Sequence, residues 1–115
     1  MAFVKREPGA ERVGAALAEG VVSAVIFAET LSKLAHQGFD ALSIGVDMEA
    51  VGLTVAPVGP DDLPSVVALH PLARKNISLA DRFCLALALD LNLPVLTGDR
   101  AWADLNLPIQ IELIR

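Results

Sequence analysis

Three acidic side chains carry the chemistry this sequence offers: Glu29, Asp81 and Asp99. Carboxylates brought to one point can hold a hard divalent cation through oxygen, and such an ion activates water and offsets charge on a phosphate under attack. Two of the three lie in the most strongly specified stretch of the chain, Ser78 to Asp99, SLADRFCLALALDLNLPVLTGD. Ser78 followed three residues later by Asp81 reads as a capping box with Asp in place of the usual Glu or Gln, and predicts a helix to about Leu91. From Phe83 to Leu89 this helix is apolar all round, which predicts burial against a sheet and other helices at once. Asn92-Leu93-Pro94 ends it, and Pro94 to Thr97 is a short apolar run of strand type.

Such a helix spans roughly 20 Å, and a strand returning antiparallel to it ends beside the helix start. Asp81, in the first helical turn, and Asp99, just past Thr97-Gly98, then share one edge. Open α/β sheets bind their ligands at the carboxyl ends of their strands. Glu29 lies near the start of another helix that follows a strand, so the same geometry carries it to that edge. Each acid also has an ordinary reading. Asp81 can cap a helix whose dipole favours it by about 0.3 to 1 kcal/mol, Asp99 can be a turn residue, and Glu29 can form a helical pair with Lys33 worth about 0.2 to 0.5 kcal/mol.

The elements that must position these groups follow in chain order. Met1 to Arg6 has no clear period, and Glu7-Pro8-Gly9 is a break that can start a helix at Pro8. Ala10 to about Glu19 is helical, closed by Gly20. Val21 and Val22 begin a strand, and Ser23 is a candidate N-cap for a helix through Ile26, Phe27, Leu31 and Leu34 that stops at Gly38. Glu29, Ser32, Lys33 and His36 form its polar face. Asp40 to about Val51 is a further helix interrupted by Gly45, and Leu53 to Val58 is a strand. Gly59-Pro60-Asp61-Asp62 turns into a helix through Val66, Val67 and Leu69 that breaks at His70-Pro71. Leu72 to Ile77 reads as a loop whose Arg74 and Lys75 could meet a phosphate backbone near the acid edge, though an ordinary solvated loop has the same composition. Arg100 to Asp104 forms a helical turn packed onto the core by Trp102, Asp104 is a surface residue sooner than a border of the acid pocket, and Ile109 to Leu113 alternates as an edge strand.

The length of 115 residues suits a single domain over residues 1–115. Its 54% hydrophobic content with few aromatics implies a core of Ala, Val, Leu and Ile. No apolar run approaches the ~18 residues that span a bilayer, and MAFVKREPG lacks the apolar segment of a signal peptide, so a cytoplasmic protein without membrane association is expected. Cys84 stands alone within the apolar helix as a small buried thiol. A net charge of −5 opposes a broad basic surface for nucleic acid. It permits a metal-dependent nuclease, in which the ion meets the phosphate.

With these pieces in place the chain resembles PIN-domain ribonucleases, specifically the small VapC-type toxins of toxin–antitoxin pairs. The resemblance rests on REPGAERV (Arg6 to Val13), SAVIFAETLSKL (Ser23 to Leu34), SLADRFCLALA (Ser78 to Ala88) and PVLTGDRAW (Pro94 to Trp102). It implies a three-layer α/β fold with a mostly parallel sheet flanked by helices, and an acidic pocket that binds Mg²⁺ or Mn²⁺. It further implies RNA hydrolysis by a metal-activated water, control by a VapB-like antitoxin, and a homodimer. Family members open with a strand ending in an Asp-x-Ser-Ala type motif. Here Met1 to Lys5 aligns with the tail of the first helix, so that strand and the first acid are expected to be missing, the domain N-terminally truncated, and neighbouring strand edges exposed.

Two functions from different classes follow. In one, the chain is an endoribonuclease in which Asp81 and Asp99 hold the metal while Glu29 completes the shell or orients the attacking water. In the other, it is a catalytically impaired remnant that binds a partner and cuts nothing. A third reading, a phosphorylated α/β signalling domain, lacks the paired acids and the late lysine it would need.

Overall fold

Backbone hydrogen bonding draws five short segments into one sheet in the computed structural model, which describes residues 1–5 and 18–113. The strands are β1 (Phe3–Val4), β2 (Val21–Ser23), β3 (Thr54–Ala56), β4 (Val95–Thr97) and β5 (Ile111–Leu113), in the order β3-β2-β1-β4-β5. β2 pairs parallel with β3, and β4 pairs parallel with β5. β1 lies between these pairs and runs antiparallel to both neighbours, with Val4 opposite Val21 on one side and Val95 on the other. Four strands therefore share one direction, and the central strand opposes them.

This corrects the expected vacancy. Residues 1–5 do not continue a helix; Phe3–Val4 fills the middle of the sheet. Two unpaired strand edges offer rows of donors and acceptors that an extended segment can satisfy in either direction. Ala2, Phe3 and Val4 are apolar and become buried there, with Val4 fully inaccessible. The helix expected over 10–19 lies almost wholly outside the described residues.

The described helices are α1 (Ala24–His36), α2 (Ala41–Ala50), α3 (Leu63–Ala68) and α4 (Leu79–Leu91), with 3-10 turns at Pro60–Asp62, His70–Lys75 and Arg100–Asp104. Local chemistry sets their ends. Ser23 Oγ accepts from the Val25 N–H at 3.2 Å to start α1, and Ser78 Oγ accepts from the Asp81 N–H at 3.1 Å to start α4. Asn92 closes α4 in the left-handed region at φ 53°. Gly45 does not break α2. It is buried, and a Cβ there would stand 3.0 Å from Leu31 Cδ1, so the missing side chain lets α1 and α2 approach. Leu72 to Lys75, expected as loop, continues the 3-10 segment from His70.

α4 is the central helix of the core. Ala80, Cys84, Leu85, Ala86 and Ala88 are buried, and it packs against α1, α3, β1 and β2. No helix among the described residues is long and apolar enough to cross a membrane.

Candidate active site

The shared direction of β2 and β4 sends both carboxyl ends to one rim of the sheet. α1 leaves that rim directly after Ser23, and α4 starts there at Leu79. Because β1 is reversed, its amino end reaches the same rim. A cavity of about 420 Å³ opens at this place, with Glu29 from α1, Asp81 from α4 and Asp99 from the turn after β4 all in its wall. Met1, Ala2 and the end of β4 at Thr97 and Gly98 complete that side. The three acids selected from the sequence thus face one space, although they come from three separate elements.

Each acid is held differently. Asp99 caps the following 3-10 turn: its Oδ1 accepts from the Ala101 N–H at 2.9 Å, while its own N–H donates to Thr97 Oγ1 at 3.1 Å. Glu29 is exposed on α1, and its Oε1 stands 3.6 Å from Lys33 Nζ. Asp81 is half-buried at the start of α4. Burial pushes its carboxyl above the ordinary value of 3.8; the Ser78 hydroxyl pulls it back, and the negative charges of Glu29 and Asp99 raise it further. The acids therefore repel one another across the cavity, the condition that a cation relieves. Cys84, one turn beyond Asp81, is pushed up to about 12, first by burial and then by the charge of Asp81, with the amino terminus acting in the opposite direction. Its thiol stays protonated at neutral pH and is no nucleophile.

The donor chemistry fits Mg²⁺ or Mn²⁺, being all carboxylate oxygen. As the side chains stand, no three His, Cys, Asp or Glu groups among the described residues are gathered closely enough to share an ion. Glu29 is drawn toward Lys33 and Asp99 toward the Ala101 amide. Both carboxylates are exposed, and a screened ion pair or a single hydrogen bond restrains each by only about 1 kcal/mol.

Arg74 and Lys75 occupy the end of the His70–Lys75 turn, are exposed, and do not line the acid cavity. The lysine that does is Lys33, with Gln37 a turn further on as the C-cap of α1. Glu29, Lys33 and Gln37 recur at i, i+4 and i+8, a spacing legible in the sequence, where Lys33 appears only as a helical partner of Glu29. Trp102 is 1% exposed and packs its turn into the core as expected; it also lines the cavity, and its indole Nε1 has no hydrogen-bond partner among the described residues. Asp104 is on the surface.

An α/β domain with an acidic cavity at the carboxyl rim of its sheet is the general class that fold and site define. The chain belongs to the PIN domain family, whose model matches residues 1–107. Neither curated proteins nor solved structures gave a significant match. Membership carries a nuclease-type fold, in a family whose members are generally divalent-metal-dependent and act on RNA or DNA.

Proposed function

We propose that this protein is a metal-dependent endoribonuclease of the VapC type, with Glu29, Asp81 and Asp99 as its working acids. The observation that carries the reading is their common cavity at the rim, reached from three elements far apart in the chain. Asp81 and Asp99 would hold Mg²⁺ or Mn²⁺, with Glu29 completing the set or orienting water. When bound, the ion supplies an activated water and offsets charge on the phosphate. The chain's own contribution is placement. Ser78 fixes the first turn of α4 beneath Asp81, and the Thr97 hydroxyl and Ala101 amide fix Asp99 on either side. Single-stranded or looped RNA is the substrate class, since its backbone is accessible. A VapB-like antitoxin as regulator, a homodimer and a cytoplasmic location complete the proposal.

The test is RNA cleavage with Mg²⁺ or Mn²⁺ by the wild type and by Asp99→Asn. Loss of at least about a hundredfold in rate is expected, the scale on which removal of a charge-stabilising group acts; equal rates would remove the role of Asp99. A second reading, a partner-binding remnant without catalysis, is favoured by the reversed β1, which brings Met1 and Ala2 to the wall where the resemblance leads one to expect a further acid. Calorimetry separates the two: a remnant takes up neither Mg²⁺ nor Mn²⁺ specifically.

A further inference from the structure

The acid cavity does not stop at α1. A second groove of about 320 Å³ lies along the same helix, lined by Glu29, Ser32, Lys33, His36 and Gln37. Glu29, Lys33 and Gln37 belong to both walls, so the two spaces meet at Lys33. The five groove residues fall at i, i+3, i+4, i+7 and i+8, one continuous polar stripe about 12 Å long at 1.5 Å per residue.

A polyanion approaching three carboxylates is repelled even through water. Entry to the cavity therefore calls for positive charge beside it. Among the described residues lining either space, Lys33 is the one lysine or arginine. Its side chain is 73% exposed and its pair with Glu29 spans 3.6 Å. A pair so open to solvent is weak and screened, so Lys33 can exchange it for a phosphate at little cost. Arg74 and Lys75 line neither wall.

We propose that the α1 groove is the track along which a single-stranded RNA backbone enters the acid cavity, with Lys33 as the phosphate contact at the junction and Ser32 and Gln37 as hydrogen-bonding positions along it. The assignment rests on the nuclease reading of the acid cavity, and Lys33 acts in it as a substrate-positioning residue.

The test is fluorescence anisotropy of a short unstructured RNA, without divalent ions so that binding is read apart from cleavage, across a salt series. Lys33→Gln weakens binding at low salt severalfold and reduces the magnitude of the slope of log K against log salt by about 0.7, the share of one phosphate contact on a single strand. Lys33→Arg restores the slope, whereas a merely structural lysine would leave it unmoved in both variants. Lys75→Gln matches the wild type. A wild-type slope in Lys33→Gln, the same loss in Lys75→Gln, or no RNA binding by the wild type overturns the assignment. Binding that depends on Lys33 in a protein that cuts no RNA would sink the nuclease reading alone.

Discussion

Asp81 is the acid whose charge the fold opposes most directly. Its folded value stands above 3.8 because burial and the two facing carboxylates disfavour the anion more than the Ser78 hydrogen bonds favour it. Between 3.8 and that higher value the folded chain holds more protons than the unfolded one, so stability falls as pH rises there. The contribution is fully present below 3.8 and is lost once the pH has passed the folded value. Asp81→Asn removes the anion while leaving the Ser78 cap on the backbone N–H. The variant is expected to be more stable than the wild type at pH 7, with the difference closing toward pH 4. The gain stays under about 1 kcal/mol, because the group is partly solvated and loses the favour of the helix dipole. Thermal unfolding of both proteins at the two pH values, without divalent ions, reads this directly. An Asp81→Asn protein less stable at pH 7 would mean that the carboxylate is structural and that its charge is not strained. A residue that costs stability where it stands is the pattern expected of a working acid.

At the scale of elements, Gly52 shows what a sequence can and cannot disclose. That it stops α2 was legible, because glycine readily takes the positive φ, here 119°, of a helix end. Its second role was not. A Cβ at Gly52 would lie 2.1 Å from the backbone oxygen of Ala18, a residue placed beside it only by the pairing of β2 with β3. Gly52→Ala is therefore expected to cost at least about 2 kcal/mol, from a strained φ and a backbone clash together. Gly38→Ala, at φ 92° with open space around it, should cost only about 1 kcal/mol. Equal midpoints in denaturant unfolding of the two variants would show that the clash is relieved without cost. The same division holds across the fold. Caps at Ser23 and Ser78 and the apolar α4 are local signals, and they placed Glu29, Asp81 and Asp99 at one rim. Gly45 looked like an interruption because its partner Leu31 lies on another helix. Arg74 and Lys75 looked close to the acids because nearness in sequence to Ser78 stood in for a direction that only packing decides.

For the molecule as a whole, the decisive contact is between the two ends of the described chain. β1 is two residues long, and its pairing to β2 and β4 alone would hold it weakly. Lys5, next along the chain, is 1% exposed; its N–H donates to the Pro94 oxygen at 2.8 Å and its Nζ to Glu112 Oε1 on β5 at 2.5 Å. The side chain thus reaches past β4 to the outer strand and ties the reversed central strand to the sheet edge. Nothing in Met1 to Lys5 announced this, since a lysine after three apolar residues ordinarily marks the return to solvent. A buried ammonium and carboxylate stabilise each other, and removal of one member of such a pair typically costs about 3 to 5 kcal/mol. Glu112 keeps 22% exposure, so the pair is only partly buried, which sets the expectation for Glu112→Gln at the lower end, about 3 kcal/mol. Lys5→Met combined with Glu112→Leu should recover most of that loss, because an apolar pair leaves no buried charge behind. Chemical denaturation of the wild type, the single variant and the double variant measures both steps. If Glu112→Gln unfolds at the wild-type midpoint, the Lys5–Glu112 pair does not hold β1, and its backbone pairing and apolar burial suffice to keep it at the centre of the sheet.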